Sequence, residues 1–84
     1  MAAEPVKVSI MYCAECGYEP QTIALAEVLM KRFMHDLSSI EIVPGLEGSF
    51  EVKVGNELVH SMYREGGFPE HRDIIRAVEE KLRA

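Results

Sequence analysis

The chain has 84 residues, 48% hydrophobic and 27% charged, and its nine basic and 14 acidic residues give a formal net charge of −5. That length holds one small domain, residues 1–84, since a second independent core would not fit. The acidic balance, the lack of a basic run and of Trp, and apolar stretches far below the ~20 residues of a membrane helix exclude a nucleic-acid partner and a bilayer span.

Val6, Val8 and Ile10 alternate with Lys7, Ser9 and Met11, the period-2 pattern of a half-buried strand that runs into Cys13. After the turn-like Cys16-Gly17-Tyr18-Glu19, Pro20 suits the first turn of a helix, where its missing N–H has no intrahelical partner. The helix is expected from about Pro20 to His35, with Ile23, Leu25, Ala26, Leu29, Met30, Phe33 and Met34 on its apolar side. Ile40-Glu41-Ile42 form a second strand closed by Pro44-Gly45, and the strand-helix-strand order implies a right-handed parallel crossover. Phe50, Val52 and Val54, then Gly55-Asn56, then Leu58 to Met62 read as a hairpin with a two-residue turn. The loop Arg64-Glu65-Gly66-Gly67-Phe68 precedes Pro69, which opens a second helix with an Ile74, Ile75, Val78, Leu82 stripe. The order β-α-β-β-β-α, with alternating strands, predicts a two-layer α/β sandwich: a four-stranded mixed sheet with both helices on one face and water on the other.

On that topology three loops meet where the first strand ends, two of them bearing glycines that permit close approach of another backbone. Gly17, Tyr18, Gly48, Gly66, Gly67 and Phe68 are the candidate groove residues. The two cysteines, Cys13 and Cys16, stand there as C-x-x-C, and a cytosolic C-x-x-C leaving a βα unit reads as a redox pair. One thiol attacks a partner's disulfide and the other resolves the mixed disulfide. A structural zinc site wants four ligands, and the three histidines, His35, His60 and His71, fall at no finger spacing, so no metal site is expected. The pair is a poor staple, because closing so short a loop constrains little of the unfolded chain. A metal-binding protein, and two cysteines that merely line a loop, stand as the alternatives.

The residues leave open which cysteine attacks. Pro20 keeps the motif out of a regular helix and weakens dipole assistance, while Glu15 and Glu19 oppose thiolate formation from a thiol whose ordinary pKa is ~8.5. His60 shares strand parity with Leu58 and Met62 and is expected to be a half-buried sheet residue, not a base; His35 and His71 read as surface residues. The N-terminal Met1-Ala2-Ala3-Glu4-Pro5 lacks the blocks of a secretory leader and the C-terminal Leu82-Arg83-Ala84 carries no prenylation cysteine, so a cytoplasmic location is expected.

The blocks Tyr12-Cys13-Ala14-Glu15-Cys16-Gly17-Tyr18, Gly48-Ser49-Phe50-Glu51-Val52, Leu58-Val59-His60-Ser61 and Gly66-Gly67-Phe68-Pro69 resemble, in that order, the selenoprotein W-related (Rdx) family. The resemblance implies a thioredoxin-like fold and a redox role on glutathione or protein thiols, with glutathione a possible co-substrate and no bound cofactor. In the selenium-containing members selenocysteine stands at the second position of the motif. The resemblance therefore makes Cys16 the reactive position, with sulfur as the weaker nucleophile, and Cys13 its resolving partner. Two function classes follow: a thiol-disulfide oxidoreductase, or a protein-interaction module at the C-x-x-C edge that the pair switches without turnover.

Overall fold

The computed structural model describes residues 6–84; the expectation drawn from residues 1–5, that they form no leader, lies outside the described residues. Strand β1 (Val6–Cys13) leads through a turn to helix α1 (Glu19–Phe33), which ends in a 3-10 turn (Met34–Asp36). Strands β2 (Leu37–Gly45), β3 (Phe50–Val54) and β4 (Glu57–Ser61) follow, then a short helix α2 (Met62–Glu65) and helix α3 (His71–Arg83). The sheet order is β2-β1-β3-β4, with β1 parallel to β2 and antiparallel to β3. This is the mixed four-stranded sheet expected from the sequence.

The period-2 pattern of β1 decides which face is covered. Val6, Val8 and Ile10 are buried on the side where Leu25, Leu29 and Phe33 of α1 and Ile74 and Val78 of α3 join Val52 and Val54 in one core cluster. Lys7 and Met11 point to the other, wetter face and are exposed. Removing water from these aliphatic side chains, at roughly 25 cal/mol per Å², drives the helices onto the sheet.

Five local expectations are corrected. Ile23, Met30 and Met34 are exposed, not packed in the core. The buried arc of α1 holds Thr22, Leu25, Ala26, Leu29 and Phe33; Ile23 and Met30 fall roughly 80–105° from its centre at ~100° per residue, and Met34 lies past the helix end at φ +45°. Met30 and Met34 instead line an open hollow with His35, Leu37 and Ile40 of the edge strand. Strand β2 runs on through Pro44, opposite Tyr12, because an edge strand has one unpaired side that tolerates a residue without an N–H. Strand β4 stops at Ser61, whose Oγ accepts from the Arg64 amide at 3.4 Å and starts α2; α3 begins at His71, two residues beyond Pro69.

The fifth correction concerns parity. Lys53 pairs with Leu58 and Val52 with His60, so the register slips by one residue at Val59. Such a bulge turns the two flanking side chains to opposite faces. Leu58 is accordingly 38% exposed and His60 only 6%.

At the far end of β1, Gly45 sits opposite Cys13. A Cβ there would lie 2.6 Å from Ser49 Oγ and 2.7 Å from Met11 Cγ. Gly45→Ala is therefore expected to destabilise the oxidised protein by ~1–3 kcal/mol, as overpacking does. Equilibrium urea unfolding checks this, the expected result being a lower midpoint at unchanged slope.

Candidate functional site

Cys13 is the last residue of the interior strand β1, and it is held from both sides. Its amide donates to the Ser49 carbonyl at 2.7 Å, and the next amide, of Ala14, donates to the Gly45 carbonyl at 3.1 Å. The backbone then turns back on itself, with the Cys16 amide reaching the Cys13 carbonyl at 3.3 Å. Gly17 follows with φ +76°, a value that L side chains adopt rarely and at a cost. These contacts bring Cys13 and Cys16 to a Cα separation of 5.3 Å, and their sulfurs form a disulfide.

The two halves of that disulfide differ in access. Cys13 is 1% exposed, whereas Cys16 lies in the turn and is exposed. Helix α1 starts at Glu19, with Pro20 in its first turn, so the motif precedes the helix as Pro20 predicts. A partner sulfur can reach Cys16 from solvent; Cys13 is reachable only through Cys16.

The groove candidates do converge on this end of the sheet. The Tyr18 and Phe68 rings meet edge-to-face at 4.9 Å, and Phe68 packs edge-to-face on buried Phe50 at 5.0 Å. Gly66, at φ +79°, ends α2 in the left-handed conformation. The carbonyl of Gly67 is hydrogen-bonded to His60 Nε2 at 2.7 Å. Gly48, at φ +75°, lies in the β2–β3 turn just before Ser49. Between the aromatic stack and α1 opens a hollow of about 230 Å³ lined by Pro20, Ala24, Phe50, Phe68, Pro69 and His71 among others.

The match of the Rdx family model to residues 7–80 bears on the identity of this arrangement. The chain belongs to the Rdx family. It is 34% identical over 82 residues to selenoprotein W of Danio rerio, covering 92% of this chain and 95% of that protein. It is 33% identical over 73 residues to migration and invasion enhancer 1 of Bos taurus, covering 87% of this chain but only 62% of that protein. The chain thus spans less than two thirds of that longer relative. Among solved structures, the selenoprotein W-related protein of Vibrio cholerae superposes with a TM-score of 0.89 at 23% identity, covering 94% of this chain and 99% of that one, a likeness of fold. A Bordetella parapertussis protein superposes at 0.86 with 27% identity, covering 92% and 98%. The fold is the thioredoxin-like one of the selenoprotein W-related proteins, and in this Rdx chain it carries a C-x-x-C pair at disulfide distance.

Several residues that shape the Rdx site are not evident in the sequence. Tyr63 of α2 donates its hydroxyl to the Leu46 and Glu47 carbonyls at 3.1 and 2.9 Å, closing the β2–β3 turn over the motif. Glu51 Oε2 accepts from the Met62 amide at 3.0 Å and anchors α2. Ser49 is buried beside Cys13, and its Oγ has no hydrogen-bond partner among the described residues. Tyr63 lies in no periodic pattern or motif block. Ser49, Glu51 and His60 stand within the blocks that carry the family resemblance, but their contacts here do not follow from the blocks, and the tether of His60 to Gly67 depends on the bulge.

Two outcomes test these assignments. An unpartnered buried hydroxyl costs on the order of 1–3 kcal/mol, so Ser49→Ala is expected to leave the oxidised protein at least as stable as the parent in urea; a loss above ~1 kcal/mol contradicts the assignment. His60→Phe keeps the ring volume and removes the tether, and is expected to speed amide hydrogen exchange selectively in Gly66–Phe68 while the β1 amides keep their protection.

Proposed function

We propose that this Rdx-family chain is a thiol-disulfide redox protein in which Cys16 exchanges with a partner sulfur and Cys13 resolves the product. The observation that carries the reading is the unequal access of the two sulfurs, one exposed in a turn and one buried at a strand end. In the reducing direction the Cys16 thiolate attacks one sulfur of a partner disulfide R–S–S–R, forming Cys16–S–S–R and releasing RS⁻. Cys13 then attacks the Cys16 sulfur, closes the intramolecular disulfide and releases the second RS⁻, the proton of Cys13 passing to the departing thiolate. Two electrons move from the protein to the partner. The reverse sequence returns them, with glutathione or a protein dithiol as reductant. The proposed compartment is the cytoplasm, whose glutathione pool supplies such a reductant.

The groove glycines and Tyr18 and Phe68 act here as walls beside the exposed sulfur. The surrounding charge sets the reactivity. Glu15 lies between the two cysteines and Glu19 opens α1, with no Lys or Arg inside the motif, so the local field opposes the thiolate.

Variants separate the two sulfurs. Cys13→Ser, treated with oxidised glutathione, is expected to accumulate a stable adduct on Cys16, visible by mass spectrometry, while Cys16→Ser forms little adduct because the remaining thiol is buried. Adducts of equal yield on both variants would contradict the division of roles. Glu15→Lys is expected to raise the alkylation rate of Cys16 in the reduced protein at pH 7 several-fold; an unchanged or slower rate would contradict the electrostatic reading.

A further inference from the structure

The charge of this molecule is unevenly placed. The segments that converge on the disulfide are residues 13–20 at the end of β1 and start of α1, 44–51 around the β2–β3 turn, and 61–73 from the end of β4 into α3. They contain seven carboxylates, against two arginines, Arg64 and Arg72. The rest of the chain holds the other seven carboxylates and the other seven basic residues, so the whole net charge of −5 resides at the disulfide end. Of the two arginines there, Arg64 is paired with Glu65, Nε to Oε2 at 2.6 Å. Glu15, between the cysteines, and Glu47, in the turn closed by Tyr63, are both exposed and in no ion pair found among the described residues.

The same end exposes apolar side chains from three separate segments: Leu46, Tyr63 and Phe68. The Ser49 amide is bonded to the Leu46 carbonyl at 3.2 Å, and its carbonyl accepts from Cys13. The excess of carboxylates makes the field that an incoming partner meets negative. Glutathione carries two carboxylates and one ammonium group, so its disulfide approaches this surface as an anion.

We infer that the preferred substrate of the Cys13–Cys16 pair is a protein disulfide flanked by Lys or Arg side chains, in preference to glutathione disulfide. This rests on the redox reading above and names the substrate class of the same site. The exchange is the one already balanced, with R–S–S–R a cationic protein disulfide that gains two electrons as the Cys13–Cys16 disulfide forms. The carboxylates act on encounter, raising the local concentration of the cationic partner, an effect that salt screens.

The test is single-turnover stopped-flow reduction, by the pre-reduced full chain, of three symmetric peptide disulfides that differ only in the residues flanking cysteine: Lys, Ser or Glu. Each rate is divided by that of the same disulfide with dithiothreitol, which removes differences in leaving-group chemistry. At low ionic strength the normalised rate for the Lys peptide is expected to exceed that for the Glu peptide by at least ~10-fold, within the range of electrostatic steering, with Ser between them. The gap is expected to close at about 0.5 M salt, where the Debye length falls to a few Å. In the double variant Glu15→Gln/Glu47→Gln the Lys-to-Glu ratio is expected to shrink several-fold. Equal normalised rates, or a gap insensitive to salt and to the double variant, overturn the charge preference and leave thiol exchange standing. Failure to reduce any of the three disulfides overturns the thiol-exchange reading itself.

Discussion

The site depends on one constraint: β1 is an interior strand, and its last residue is a cysteine. Because β1 has partners on both sides, the Cys13 amide and the one after it are tied to the carbonyls of Ser49 and Gly45. The sulfur at that position is buried, and the chain continues by turning outward into an exposed turn. The turn through Ala14, Glu15 and Cys16, released by the positive φ of Gly17, returns a second sulfur to bonding distance while leaving it in solvent. The inequality of the two sulfurs thus follows from joining a buried strand end to an exposed turn.

The surrounding elements hold this end of the sheet in shape. Tyr63 ties α2 to the β2–β3 turn, Glu51 ties α2 to β3, and His60 ties the Gly66–Phe68 loop to β4. Each tie rests on one donor hydrogen, that of Tyr63 shared between two carbonyls, and is worth ~1 kcal/mol net and more when a charged group takes part. Together they hold the segments that carry Phe68, which packs on Tyr18 and Phe50. The ion pairs at the surface, such as Arg32–Glu79 and Lys31–Glu27, belong to the neutral remainder of the molecule and contribute little. What distinguishes the disulfide end is the excess of carboxylates, which bears on which partners approach.

The fold was largely legible because hydrophobic period reports directly on which face of an element is covered. The alternation in β1 and β3, the Pro20 helix start and the Gly55-Asn56 turn all reappear in the structure. Period failed where tertiary context decides. The exposed Ile23, Met30 and Met34 are apolar residues outside the buried arc of α1, and β2 passes Pro44 because it is an edge. The one-residue slip at Val59 moved His60 into the core, and no local pattern encodes a bulge. Of the site, the cysteine pair and the converging glycine loops could be read from spacing and topology. Ser49, Tyr63 and the full burial of His60 could not, since each depends on a long-range contact.

The central claim is that Cys13 and Cys16 form a reversible disulfide that exchanges electrons in pairs. An equilibrium redox titration of the full chain against glutathione mixtures, read by mass after acid quenching and thiol labelling, addresses it most directly. The account predicts a single transition between dithiol and intramolecular disulfide with a two-electron slope, about 30 mV per tenfold change in the ratio. Both cysteines would become labelled together, and mixed disulfides with glutathione would remain minor throughout. Independent glutathionylation of one cysteine, or a dithiol that stays unoxidised across the whole range, would contradict it.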